Sequence, residues 1–267
     1  GVARTEDFAE PAPLRRADLV LAHTEGYVQD LLSGKMCESL MAGELPVNRG
    51  IVNAFLLGAG GTLAACRLAL EDGGLTMNLG GGFHHAFPDR AEGFCLVNDI
   101  AVSLRSLMRE ELVHRPMVVD CDLHQGNGTA YIFRDEPAVF TFSIHQENLY
   151  PVKQRSDVDV GLPDFCSGEQ YLDLLRRHLL PAMDEHAPDF VVYVAGADPF
   201  SGDMLGSLSL TLEDMRARDS LVLGECRSRG IPAALVLGGG YCRNVEDTVR
   251  VHFQAARTLA SLSEAAE

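Results

Sequence analysis

Short apolar runs rich in β-branched residues recur along the chain, and between them lie longer stretches whose apolar positions return every three or four residues. The first pattern suits strands buried on both faces and the second suits helices that cover them. The runs predict strands at Leu75–Leu79, Met117–Val119, Ala138–Ile144, Phe190–Val194 and Ala233–Leu237. The periodic stretches predict helices near Ile51–Leu70, Asn98–Leu112, Gly168–Glu185, Leu212–Arg229 and Val245–Leu262. Ser167 with Gln170, and Thr211 with Asp214, have the spacing of helix-starting caps. This alternation predicts an α/β fold: a central, mainly parallel sheet with helices on both faces, and ligands bound beyond the carboxyl ends of the strands.

Composition narrows the picture. The chain has 267 residues and no linker-like segment, repeat or low-complexity tract, so one domain over residues 1–267 is expected. Its 22 basic and 38 acidic residues give a formal net charge of −16, which offers no attraction to nucleic acid or to an anionic membrane. The seven cysteines, Cys37, Cys66, Cys95, Cys121, Cys166, Cys226 and Cys242, include no Cys-x-x-Cys pair. That pattern argues against a disulfide framework and a thiolate zinc site, and it suits a reducing cytoplasm. The N-terminus has no apolar signal core, and no uninterrupted apolar run approaches the ~18 residues of a membrane span.

The chemically unusual residues fall at the ends of the predicted strands. Met117-Val-Val-Asp-Cys-Asp-Leu-His-Gln-Gly-Asn-Gly128 runs from an apolar strand directly into acids and a histidine. Alternation along an extended chain would put Asp120, Asp122 and His124 on one side. Charges so grouped at a buried strand end need a cation to join them. Asp122 and His124 are the natural ligands, and Asp198, ending the run Val194-Ala-Gly-Ala-Asp198, can be a third. Three protein ligands leave a position open, as in catalytic zinc sites. Capping acids and a core histidine would explain Asp198 alone, but not the set.

Two further clusters follow other strands. In Gly80-Gly-Gly-Phe-His-His85 the adjacent histidines can serve one site only if the backbone turns there, which the glycines allow. Imidazole is the side chain best suited to proton transfer near neutral pH. Val236-Leu-Gly-Gly-Gly-Tyr241 presents a phenol on a glycine turn, where it is equally able to pack or to donate to a developing oxyanion.

Taken together, these stretches resemble the histone deacetylases and their bacterial relatives, of the arginase-deacetylase fold. The resemblance is carried by Gly80-Gly-Gly-Phe-His-His-Ala86 with Glu92-Gly-Phe-Cys-Leu-Val-Asn-Asp99, Asp120-Cys-Asp-Leu-His-Gln-Gly-Asn-Gly128, Gly196-Ala-Asp-Pro-Phe-Ser-Gly-Asp203 and Gly238-Gly-Gly-Tyr241. They stand in the family's order over most of the chain, from about His23 onward.

The resemblance implies a deacylase that hydrolyses the amide of an acylated lysine, or of a small acylated amine, to a carboxylate and a free amine. It implies one zinc ion on Asp122, His124 and Asp198, although iron(II) suits the same donors. His84 and His85 would flank the attacking water, with His85 the general base and acid, Asp120 the partner of His84, and Tyr241 the carbonyl-polarising donor. A structural potassium ion is implied at Ser143, Ile144, Asp120, Asp122 and His124. Gly93, Phe94 and Tyr150 would line an acyl-lysine channel with Leu205 at its rim, where an acid would instead have suggested a polyamine.

Gln125 and Asn127 stand where many members have a second histidine and aspartate, a pattern similar to the class IV branch and its bacterial homologues. Asn127 then becomes a neutral partner of His85, which is expected to leave that imidazole with a lower pKa than an aspartate partner would. The chain is also expected to begin after the family's opening strand and first helix. Two alternatives are less consistent with the residues. A binuclear manganese hydrolase of the arginase type would need acids where Gly126 and Phe200 stand, and a non-catalytic acyl-lysine binder would lack the complete catalytic set.

Overall fold

The computed structural model describes residues 2–264. Six strands form one sheet: β1 (Leu75–Met77), β2 (Pro116–Asp120), β3 (Phe140–Gln146), β4 (Val158–Leu162), β5 (Phe190–Val194) and β6 (Ala233–Val236). Their spatial order is β1-β6-β5-β2-β3-β4, and every neighbouring pair is parallel. Helices α1 (Arg16–Leu19), α2 (Glu25–Ser33), α3 (Glu38–Met41), α4 (Arg49–Asp72), α5 (Asp99–Arg109), α6 (Asn127–Phe133), α7 (Gly168–His186), α8 (Leu212–Ser228) and α9 (Val245–Glu264) cover it.

Strand alternation divides the core into two layers. Val118, Val192, Val194, Ala234 and Val236 face one side, packing with residues of α2, α4, α5 and α6. Met117, Val119, Val191, Tyr193, Ala233 and Leu235 face the other, packing with α7, α8 and α9. The central strands β2, β5 and β6 are therefore buried along their whole length and read as continuous apolar runs.

The five long helices and five of the six strands lie where the periodicity puts them, within a few residues. β4 is the exception among strands: its sequence Val-Asp-Val-Gly-Leu includes an exposed Asp159 and Gly161 at the sheet edge, so it has no apolar run to read. The four-residue helices and α6 are too short to show a period. Both predicted caps form, with Ser167 accepting from the Gln170 amide and Thr211 closing a reciprocal capping box with Asp214. α4 is long and apolar enough to cross a membrane by length and composition, with a mean hydropathy of 1.5, yet 44% of that window is buried in the core.

The strand order places the site. From β2 the chain moves outward through β3 and β4, then returns to the other flank of β2 with β5 and β6. The crevice at this reversal lies between the carboxyl ends of β2 and β5, the usual ligand position in such sheets. Residues 120–124 leave β2 there, and Asp198 follows β5.

A buried histidine ties the first helices to this scaffold. His23 Nδ1 donates to the Phe87 carbonyl at 2.9 Å, and its Nε2 accepts from the Asn98 amide at 3.0 Å. A second ring proton would meet that amide donor head on. Burial accordingly lowers the pKa from 6.5 to about 4. Between these values the unfolded chain binds the proton and the folded chain does not, so stability falls as pH falls through this window. We expect His23 to account for a loss of about 2 kcal/mol between pH 6.5 and pH 5. Urea unfolding of wild type and His23→Gln at pH 7 and pH 5 checks this, because the variant should show the smaller drop on acidification.

Candidate active site

The turn after β1 is built around a buried carboxylate. Asp99, at the start of α5, accepts from the Gly82 and Phe83 amides at 2.9 and 2.7 Å and from the Thr62 hydroxyl at 2.5 Å. Gly81 and Gly82 have φ of 72° and 82°. A Cβ on Gly82 would lie 2.6 Å from the Gly238 backbone nitrogen, so both conformation and space require glycine there. This turn brings the two histidines together as the sequence requires, with His84 Nε2 and His85 Nε2 3.1 Å apart.

Each ring is oriented by its other nitrogen. His84 Nδ1 donates to Asp120 Oδ2 at 2.7 Å, and His85 Nδ1 donates to Asn127 Oδ1 at 2.8 Å. Burial opposes charge on His84, but Asp120 and Asp122 outweigh it and raise its pKa to about 9. Burial and the neighbouring charge of His84 hold His85 well below the ordinary range, with the Asn127 contact acting in the opposite sense. With both Nδ1 atoms taken by Asp120 and Asn127, a charged His84 points its Nε2 proton at the single lone pair of a neutral His85 Nε2, 3.1 Å away.

Asp120 does not join the second cluster. β2 ends at this residue, and the chain then turns around carboxylates: Asp120 accepts from the Asp122 amide at 3.1 Å, and Asp122 from the His124 amide at 2.9 Å. Turn geometry, and not strand alternation, therefore gathers these side chains. Asp198 Oδ1 accepts from the Leu123 amide at 2.9 Å, and Asp122 Oδ2 from the Gly239 amide at 2.7 Å. Ligand atoms of Asp122, His124 and Asp198 lie within 4.8 Å of one another, all buried. His124 Nδ1 faces the carboxylates, 3.3 Å from Asp122 and 3.1 Å from Asp198. Burial opposes charge on His124, yet the two acids drive its pKa up to about 10, while burial and Asp122 lift Asp198 to about 7. The set draws a cation to itself, and two carboxylates with one imidazole are donors that fit a divalent metal such as zinc.

Above these groups lies a pocket of about 260 Å³, whose lining includes His85, His124, Gly93, Phe94, Tyr150, Leu205 and Tyr241. The sequence had singled out all seven. A Cβ on Gly93 would sit 2.5 Å from His85 Cδ2 and 2.7 Å from the Tyr150 hydroxyl, so any side chain there would block the way to His85. The Tyr150 ring stands edge-on to His85 and His124, at 5.4 and 6.1 Å between centroids, and Phe94 and Tyr241 face each other at 5.9 Å. Burial raises the Tyr241 phenol, which stays protonated and able to donate. Asp203 anchors this corner by accepting from the Tyr241 amide at 2.5 Å and the Leu205 amide at 2.8 Å. Ser143 lies opposite Asp120 in the β2–β3 register, next to Ile144, with its hydroxyl 2.9 Å from His145 Nδ1.

Several contributors had no signal in the sequence. Glu44 and Leu149 also line the pocket. Arg218, on α8, is fully buried, and it reaches the turn that follows β2. Its guanidinium donates to the Gly196 and Cys121 carbonyls at 2.7 and 3.2 Å and pairs with Asp219 at 2.8 Å. It bridges the ends of β2 and β5, the two strands that carry the candidate ligands. A lone Arg-Asp pair on a charged helix gives no warning of this.

The chain is similar to known proteins over nearly its whole length. The histone deacetylase domain matches residues 1–256. An uncharacterized protein of Picosynechococcus sp. is 42% identical over 254 residues, 94% of this chain and 84% of that protein. The acetoin utilization protein AcuC of Bacillus subtilis is 30% identical over 88% of this chain and 67% of its own length. Histone deacetylase 2 of Arabidopsis thaliana is 30% identical over 91% of this chain, which spans 66% of the plant protein. Human histone deacetylase 1 is 28% identical, and the chain spans 55% of it. Among solved structures, an HDAC homologue complexed with SAHA superposes with a TM-score of 0.86 over 97% of this chain and 74% of the other, at 23% identity, a likeness of fold. With this match across the domain and the parallel sheet beneath it, the chain belongs to the histone deacetylase family and has its arginase-deacetylase fold.

Proposed function

We propose that this protein is a zinc-dependent deacylase that hydrolyses the amide of an acylated lysine in a protein or peptide, or of a small acylated amine, to a carboxylate and a free amine. The observation that carries the proposal is one of convergence. The Asp122, His124 and Asp198 donors, the His84–His85 pair and Tyr241 come from four different strand ends and meet at one pocket.

A metal ion held by Asp122, His124 and Asp198 would supply Lewis acidity toward the amide carbonyl and lower the pKa of the attacking water. His85, neutral and with Nε2 free of a proton, accepts the proton of that water and later returns it to the leaving amine. His84 keeps its own positive charge through Asp120 and so favours negative charge building up beside it. Tyr241 donates its hydroxyl proton in a hydrogen bond to the carbonyl oxygen as that oxygen becomes an oxyanion. Phe94, Tyr150 and Leu205 give the pocket apolar walls suited to an aliphatic stem, and Gly93 leaves the path to His85 open. A potassium ion would stiffen the same strand ends through Asp120, Asp122, His124, Ser143 and Ile144, as the resemblance implies. With Leu205 at the rim, acyl-lysine is preferred over acylated polyamine, and the reducing cytoplasm is the proposed compartment.

The test is turnover of acyl-lysine peptides from acetyl to long-chain, beside acylated polyamines, before and after chelation and with zinc or iron(II) restored. Activity should vanish on chelation and return with the metal. Tyr241→Phe should lower kcat by about 10²–10³-fold with its metal content unchanged. Zinc-loaded protein that turns over none of these amides would overturn the proposal.

A further inference from the structure

Behind His85 stands a carboxylate that the family resemblance does not assign. Asn127 accepts from His85 Nδ1 through its side-chain oxygen, and its side-chain nitrogen donates to Glu92 Oε1 at 2.7 Å. The amide could in principle be flipped, but its neighbours decide the matter. The Gly128 backbone amide, which can only donate, lies 3.0 Å from Asn127 Oδ1. Glu92, which can only accept, faces Nδ2, and the Val152 carbonyl lies on the same side at a longer 3.5 Å. Glu92 is itself held by Arg90 at 3.4 Å and keeps a side-chain exposure of 17%.

We infer that Glu92 is a positioning residue for His85, acting through the Asn127 amide. By fixing the Asn127 nitrogen on itself, it turns the Asn127 oxygen toward His85, which places the His85 proton on Nδ1 and leaves Nε2 bare. The inference rests on the reading of His85 as the base, because Nε2 is the atom that faces His84 and the pocket. Where an aspartate partner would accept from the imidazole directly, this chain uses a neutral amide with a carboxylate one bond further out.

Two experiments test it. Nitrogen-15 imidazole spectra of the metal-loaded protein should show His85 protonated on Nδ1 alone. Glu92→Ala should mix the two tautomers and lower kcat about 10-fold with KM within about twofold, and Glu92→Gln, which still offers an accepting oxygen to Asn127, should restore both. A wild-type tautomer in Glu92→Ala overturns the inference whatever the rate, and since it is read by spectroscopy it stands apart from whether acyl-lysine is the substrate. A second handle does not depend on the alanine variant folding. Asn127→Asp puts two carboxylates in contact, so Asn127→Asp with Glu92→Gln should be at least several-fold more active than Asn127→Asp alone. A double variant no better than the single would show that the two residues are not coupled.

Discussion

Replacing His85 with alanine is expected to lower kcat by about 10²–10⁴-fold while leaving the metal content of the protein as it was. The separation follows from the geometry. His85 hydrogen-bonds to His84 and Asn127, whereas the donor set of Asp122, His124 and Asp198 closes on itself and on backbone amides of Leu123, His124 and Gly239. Removing the imidazole therefore takes away the proton acceptor without removing a hydrogen bond from any of the three donors, although its edge contact with the His124 ring is lost. Elemental analysis beside steady-state kinetics checks both halves. A loss smaller than tenfold would mean that another group carries the proton, with His84 the only other imidazole of the pair. A loss of metal would mean that His85 belongs to the metal's surroundings more directly than its contacts indicate.

The Arg218→Met variant should be less stable by roughly 3–5 kcal/mol, the usual consequence of breaking a buried ion pair from one side. For a chain of this size that corresponds to a fall in Tm on the order of 10 °C. Three groups lose their partner at once. Asp219, fully buried, would keep only the Tyr193 hydroxyl at 2.6 Å, and the Cys121 and Gly196 carbonyls would lose their side-chain donor. The penalty arises mostly from the uncompensated Asp219 charge. Arg218→Met combined with Asp219→Asn should therefore recover part of the lost stability, as followed by thermal unfolding of the metal-loaded protein. A double variant that is no more stable than Arg218→Met would place the cost in the two carbonyls, and with them in the turn that carries Asp122.

Much of this was legible in the chain because buried parallel strands and amphipathic helices announce themselves through their spacing. Where that signal is weak, reading fails for a physical reason: β4 lies at the sheet edge with alternate residues exposed, and α6 has under two turns in which to show a period. The candidate site was legible for a related reason. Acids, histidines and a glycine-borne tyrosine placed directly after apolar runs interrupt the pattern of a buried strand, so they stand out from the scaffold.

By itself, the sequence determined five of the strands and the five long helices, that one parallel sheet organises them, and which residues at the strand ends are candidates for the chemistry. Only the tertiary structure decided how those residues divide. It gave Asp120 to His84 and set Asp122 with His124 and Asp198 as candidate metal donors, it put Glu92 behind Asn127, and it drove Arg218 under the turn at the ends of β2 and β5. Each of these pairings joins segments that lie at least 22 positions apart in the chain. Local spacing reports which way a side chain faces within its own element. The partner it meets is set by which strand ends become neighbours, and that follows from the order β1-β6-β5-β2-β3-β4.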